Sequence, residues 1–241
     1  MLRADSDKRG DMMERHFQQE LEGVKTTLIK MASVVEENIN DAVKAILERS
    51  EVLAKKVIES DERINTLEIE IDNAIIDMLA LQQPVASDLR FIIAAQKINN
   101  DLERIGDHAV NLAESALTLL KSKKMVSLLE IPEMVSATKL MLRYALDSFI
   151  LLDPKMARQV LETDDQIDEL NRSMTTKVID LLNSDKKMIE PGLALIRISQ
   201  NLERVADMTT NIAEEVIFHT QALIVKHHAQ DPAIKHHTEE K

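Results

Sequence analysis

Apolar residues recur along the chain in alternating steps of four and three. Ile98, Leu102, Ile105, Ala109, Leu112, Ala116 and Leu119 form one stripe, and Ile198, Leu202, Val205, Thr209, Ile212 and Val216 form another. Val57, Ile64, Leu67, Ile71, Ala74 and Met78 give a third. This spacing places one apolar face on each α-helix, at the period of a helical bundle. Breakers separate the stripes at Gln83-Pro84, Pro132, Asp153-Pro154 and Glu190-Pro191-Gly192, and proline is well placed in a helix's first turn. The pattern predicts six long helices, over 14–49, 52–82, 87–123, 131–152, 154–184 and 190–226. Three such helices close a core, so the expected fold is all-α, with two tandem three-helix bundles at 14–125 and 130–226. Residues 1–13 are expected to form a disordered extension, and 227–241, with His227-His228 and His236-His237, a polar tail.

The two bundles are expected because the chain carries its own copy. Val57-Ile58-Glu59-Ser60-Asp61-Glu62-Arg63-Ile64 matches Val160-Leu161-Glu162-Thr163-Asp164-Asp165-Gln166-Ile167. Asp101-Leu102-Glu103-Arg104-Ile105-Gly106-Asp107 matches Asn201-Leu202-Glu203-Arg204-Val205-Ala206-Asp207, after which Asn111 falls opposite Asn211 and Glu114 opposite Glu214. The blocks keep their order in both halves, as a duplication requires.

Glu103, Asp107 and Asn111 recur every fourth residue and share one helix face, and Glu203, Asp207 and Asn211 repeat them. Glu103 follows the core residue Leu102, about 100° round the helix, so the stripe is expected to face solvent or a partner. Outward charges are ordinarily just a solvated face. Copies that diverge at other outward positions but keep these in register point to a shared task. Carboxylates and an amide oxygen without thiolate suit hard cations, iron or manganese. Two carboxylates on one helix supply too few ligands, and Asp61, Asp164, Asp165 and Asp168 on the second helix of each bundle are the candidates to complete a site. An electrostatic docking face for a basic partner, or simple pairing with Arg104 and Arg204, would use the same residues.

Composition narrows the options. The net charge is −12, with a pI near 5.1. Such a surface disfavours nucleic acid and anionic lipid, and phosphate has the wrong sign for the acidic stripes. The chain has no cysteine, no Gly-rich phosphate loop and no apolar run of the ~20 residues that span a bilayer. No signal-like core follows Met1. A cytoplasmic, non-enzymatic protein is expected. His108 has Met208 as its counterpart, so a metal site would not depend on it. Ser87 reads as a helix N-cap, and Arg90 behind it as a cation seeking an acidic partner.

Leu102-Glu103-Arg104-Ile105-Gly106-Asp107-His108-Ala109, its echo Leu202-Glu203-Arg204-Val205-Ala206-Asp207, and Gln83-Pro84 followed by Ser87-Asp88-Leu89-Arg90-Phe91 resemble the PhoU family of phosphate-uptake regulators. Phe17-Gln18-Gln19-Glu20-Leu21-Glu22 resembles that family's first helix. The resemblance implies two bundles related by a pseudo-twofold axis and a cytoplasmic, often dimeric, non-enzymatic protein. It implies negative regulation of the phosphate-specific ABC transporter, through its ATPase subunit, and of a sensor histidine kinase. Contact with membrane would then be peripheral, through those complexes. It also implies multinuclear iron or zinc clusters in some members, at positions matching Glu103 with Asp107, Glu203 with Asp207, and the partner residues Asp61, Asp164 and Asp168. Asn65 stands where the second copy has Asp168, and Asn171 replaces the acid at Glu68. The alternative is an iron-binding helical bundle with a storage or redox role. That class aims Glu-x-x-His pairs into its core, and neither repeated block contains one.

Overall fold

The computed structural model describes residues 2–82, 84, 86–122 and 127–225, with side chains from Arg15 onward. Its helices are α1 (Leu2–Leu47), α2 (Glu51–Leu81), α3 (Ala86–Lys121), α4 (Ile131–Leu151), α5 (Pro154–Leu161), α6 (Asp164–Ser184) and α7 (Ile189–Gln221), with a 3-10 turn at Lys186–Met188. Among the described residues there is no strand, and no helix is long and apolar enough to cross a membrane.

Local chemistry explains most boundaries. Ser50 caps α2, its hydroxyl accepting from the Leu53 amide at 3.3 Å. Asp153 caps α5, accepting from the Lys155 amide at 2.8 Å, with Pro154 in the first turn. Leu152 and Ala222 end α4 and α7 in the left-handed region, at φ 53° and 56°.

Three expectations change. The helix expected over 154–184 is interrupted at Glu162-Thr163, although both residues stay near helical angles. The Thr163 amide and carbonyl make tightened bonds, to the Val160 carbonyl at 3.1 Å and from the Gln166 amide at 3.2 Å. The Thr163 hydroxyl donates back to the Gln159 carbonyl, a local alternative that bends helices. The first helix starts at Leu2, within the stretch set apart as an extension, because no proline separates that stretch from Phe17. Ser87 lies inside α3, not at its cap, since the helix begins at Ala86. The proposed tail at 227–241 lies outside the described residues.

All three predicted stripes are buried, apart from the half-buried Ala74. α1–α3 form the first bundle and α4–α7 the second. In the second, Ser199 meets Met134 and Thr138 meets Leu202, so α4 and α7 run parallel. α3 and α7 lie against each other in opposite directions. Lys97 meets Glu215, Asp101 meets Asn211 and His108 meets Asn201. The apolar core runs through both bundles without a break.

Two crossings are close, α2 with α3 at Gly106 and α6 with α7 at Gly192, where a Cβ would lie 2.8 Å from Leu182 Cδ2. A Cβ at Gly106 would lie 2.8 Å from Ile64 Cδ1 and 3.8 Å from Asp61 Oδ1, so α2 and α3 approach across a missing side chain. Gly23, exposed within α1, has nothing within 4 Å of its Cβ direction. Gly106→Val is expected to destabilise by about 1–3 kcal/mol through overpacking. Gly23→Ala is expected to stabilise by about 0.5–1 kcal/mol. Urea unfolding followed by circular dichroism measures both.

Candidate functional site

The acidic residues singled out by the repeat gather into two faces, one on each bundle. α2 contributes Asp61 and Glu68 to the first, and α3 contributes Glu103 and Asp107. In the second, α6 contributes Asp164 and Asp168, and α7 contributes Glu203 and Asp207. Each set belongs together electrostatically. Burial, then Asp107, Glu68 and Asp61, raise the Glu103 carboxyl above its ordinary range. Burial, then Asp207 and Asp168, raise that of Glu203.

The stripe is not turned fully to solvent. Glu103, Glu203, Asp207, Asp61, Asp164 and Asp168 are all half-buried in the groove between facing helices, whereas Asp107 is exposed. A heptad with one partner would put these positions outside. α3 packs on α1, α2 and α7 at once, so its flanks are partly covered too.

The two faces differ. In the first, Asn65 donates to Asp61 Oδ2 at 3.2 Å. This bond opposes the rise that burial and Asp107 impose on Asp61. In the second, Asp168 replaces that amide. Burial, followed by Asp207 and Asp168, pushes the Asp164 carboxyl up to about 6. Asp207 is raised by burial and Asp168, against the opposing effects of Arg204, His108 and Arg104. Both arginines thus sit near the seam between the bundles and partly offset the acidic charge.

Glu68, noted from the sequence only as the acid that Asn171 replaces and not counted among the site residues, joins the first face, its carboxyl raised by burial, Asp72 and Asp107. Its position seven residues after Asp61, on the same helix face, was the available signal. Its counterpart Asn171 instead accepts from the Ser199 hydroxyl at 2.6 Å. Asn211 is half-buried, its amide donating to Asp101 Oδ1 across the seam at 3.3 Å. Asn111 is half-buried in α3, its backbone carbonyl accepting from the Ser115 hydroxyl. His108 Nδ1 lies 2.8 Å from Asn201 Oδ1. Asn201 Nδ2 donates to the Arg197 carbonyl, so Oδ1 is the acceptor and His108 Nδ1 carries the proton. Burial, with Arg204 and Arg104, lowers the His108 pKa. The acidic partner expected for Arg90 is not seen: among the described residues its Nε is buried without a hydrogen-bond partner, and burial, followed by the Arg90 and Lys25 charges, lowers the His219 pKa.

The all-oxygen donor set has the chemistry of a hard-cation site. Among the described residues, however, no three His, Asp or Glu side chains converge closely enough to hold a metal ion. As placed, the faces are acidic grooves and not assembled coordination shells.

The raised Asp164 has a consequence for stability. The folded state holds a proton there that the unfolded chain, near 3.8, releases. Its contribution to stability is therefore lost as pH rises from about 4 to about 6. The melting temperature is expected to fall across that window, and Asp164→Asn is expected to flatten the dependence. Thermal melts of both proteins from pH 4 to 8 test this.

Comparison with known proteins agrees with this geometry. The PhoU domain family matches the chain twice, at residues 28–116 and 131–216. The phosphate-specific transport system accessory protein PhoU homolog 1 of Thermotoga maritima is 36% identical over 204 residues, covering 84% of this chain and 88% of the relative. The homolog from Aquifex aeolicus is 37% identical over 208 residues, covering 86% and 94%. The crystal structure of PhoU from Pseudomonas aeruginosa superposes with a TM-score of 0.84 at 35% identity, covering 86% of this chain and all of that one. That of the phosphate transport system regulatory protein PhoU from Streptococcus pneumoniae gives 0.79 at 29% identity, covering 87% and 99%. With two matched domains, each carrying an acidic face on its last two helices, the chain belongs to the PhoU family.

Proposed function

We propose that this chain is a negative regulator of phosphate uptake and of phosphate-starvation signalling. It acts in the cytoplasm, as a homodimer, by docking on the ATPase subunit of the phosphate ABC transporter, on its sensor histidine kinase, or on both. One observation carries this reading: each half of the helical frame builds an acidic face, with Glu103 and Asp107 in one and Glu203 and Asp207 in the other. Relatives of this architecture are named accessory or regulatory proteins of phosphate transport. Like charges held in a groove repel one another, and a basic partner surface relieves that repulsion on contact. Charge complementarity of this kind speeds encounter and selects the partner.

A test follows directly. Deleting the gene and measuring a phosphate-starvation reporter, such as secreted alkaline phosphatase, in phosphate-rich medium is expected to give high output. The wild-type gene restores low output, and Asp107→Ala combined with Asp207→Ala does not, although circular dichroism shows unchanged helix content. Low output in the deletion strain would overturn the regulatory role. Full repression by the double variant would remove the acidic faces from it.

A second reading is that the faces take up iron or zinc clusters, through Glu103, Asp107 and Asn111 with Asp61, and through Glu203, Asp207 and Asn211 with Asp164 and Asp168. Its support is the raised Asp164 carboxyl, whose repulsion a cation would relieve. Adding iron or zinc is expected to raise the melting temperature of the wild type but not of the Asp107→Ala, Asp207→Ala variant. Ferroxidase turnover on aerobic iron addition would favour a storage or redox role over regulation.

A further inference from the structure

The solvent side of α2 carries an apolar ridge that the fold does not use. Ile69 and Ile76 are 60% and 61% exposed, and Ile58 and Leu79 are 36% and 46% exposed. The core side of the same helix is Ile64, Leu67, Ile71 and Met78, so the ridge lies opposite the core. Thr66, Ile69, Asn73, Ile76 and Ala80, all exposed, follow alternating steps of three and four. That is the seam spacing of a coiled coil, with a polar Asn between two isoleucines to set register. Isoleucine is stiff at χ1 and is not favoured on an exposed helix surface for its own sake.

The duplicated half shows that the fold does not need this ridge. The matching positions in α6 are Glu169, Arg172, Thr176, Ile179 and Asn183, with one apolar residue among them. The core matches between the copies, but the seam belongs to the first copy alone.

Charge identifies the occupant. Glu59, Glu70 and Asp77 flank the ridge on one side. Asp61, Glu68 and Asp72 flank it on the other, toward the acidic face. From Glu59 to Leu81 there are seven acidic residues and one basic one, Arg63. A second copy of α2 would set acidic rail against acidic rail, and an anionic membrane has the same sign. An amphipathic helix with an apolar stripe edged by Lys and Arg satisfies both the seam and the rails.

We propose that the α2 ridge is a docking seam for a basic amphipathic helix of a partner protein, gripped by Ile69 and Ile76 and aligned by the flanking carboxylates. The proposal rests on the regulatory reading only in taking the occupant to be a protein. It places one contact beside the first acidic face, so a partner can engage both at once.

The test uses the full chain and a synthetic helical peptide of about three heptads, with Leu at the seam positions and Lys or Arg on both flanks. A scrambled peptide of the same composition is the control. Fluorescence anisotropy is expected to show binding to the wild type that weakens with salt. Binding is expected to be at least about tenfold weaker for Ile69→Gln combined with Ile76→Gln, and unchanged for Ile179→Gln. Gln suits an exposed helix position, so the melting temperature should hold. No binding by the wild type, equal binding of the scrambled peptide, or equal affinity of the double variant would overturn the proposal. Loss of self-association by the double variant in sedimentation velocity, or loss of binding to anionic vesicles, would reassign the ridge to a second copy or to lipid and overturn it too. None of these outcomes depends on the deletion-strain reporter, so the seam and the regulatory role can fail separately.

Discussion

Helices α3 and α7 have to be packed on more than one side, and the rest of the molecule follows from how they meet. Each buries an apolar stripe in its own bundle while lying antiparallel on the other. Small residues such as Ala94, Ala109, Ala113 and Ala213 let neighbouring backbones come close. The contact between the two helices carries polar groups along its length. Lys97 Nζ donates to Glu215 Oε1 at 2.8 Å, the Asn211 amide to Asp101, and His108 pairs with Asn201. Glu215 is nearly buried, its side chain 4% exposed against 42% for Lys97. A pair of this kind fixes orientation more than it adds stability. The pseudo-twofold is imperfect here: the counterparts of Lys97 and Glu215 are Arg197 and Ser115, so this ion pair has no mirror image.

That seam decides where the acidic faces lie. With α3 and α7 back to back, α2 and α6 cover the far flanks, and the carboxylates settle in the grooves between. Partial burial and mutual repulsion then act together, raising Glu103, Glu203, Asp61, Asp164 and Asp207 by the same two causes. The second face carries more of this strain because Asp168 stands where the first has an amide. Negative charge is thus held at a cost that a cationic partner would lower.

Much of this was legible in the sequence. Periodicity reports burial directly, so the core stripes, the two bundles and the pairing of the acidic blocks could be read before any coordinates. Other features depend on contacts that spacing does not encode. The interruption at Thr163 comes from a hydroxyl bonding back to its own helix, with no proline or glycine to announce it. The stripe on α3 was expected outside because a heptad assigns one partner per helix, and α3 has three. Spacing does not announce that the Asn211 amide donates to Asp101 on the other bundle. The ridge on α2 went unread in the sequence, because isoleucines out of phase with the core stripe gain meaning only from the exposure of Ile69 and Ile76.

On the regulatory reading, the paired acidic faces are the surface by which this protein meets its partner. Hydrogen–deuterium exchange on the full chain, alone and with the purified ATPase subunit of the phosphate transporter, tests it most directly. Slowed exchange concentrated in the facing stretches of α2 with α3 and of α6 with α7 is the expected result. Protection confined to α1 and α4, with the acidic helices unchanged, would contradict it.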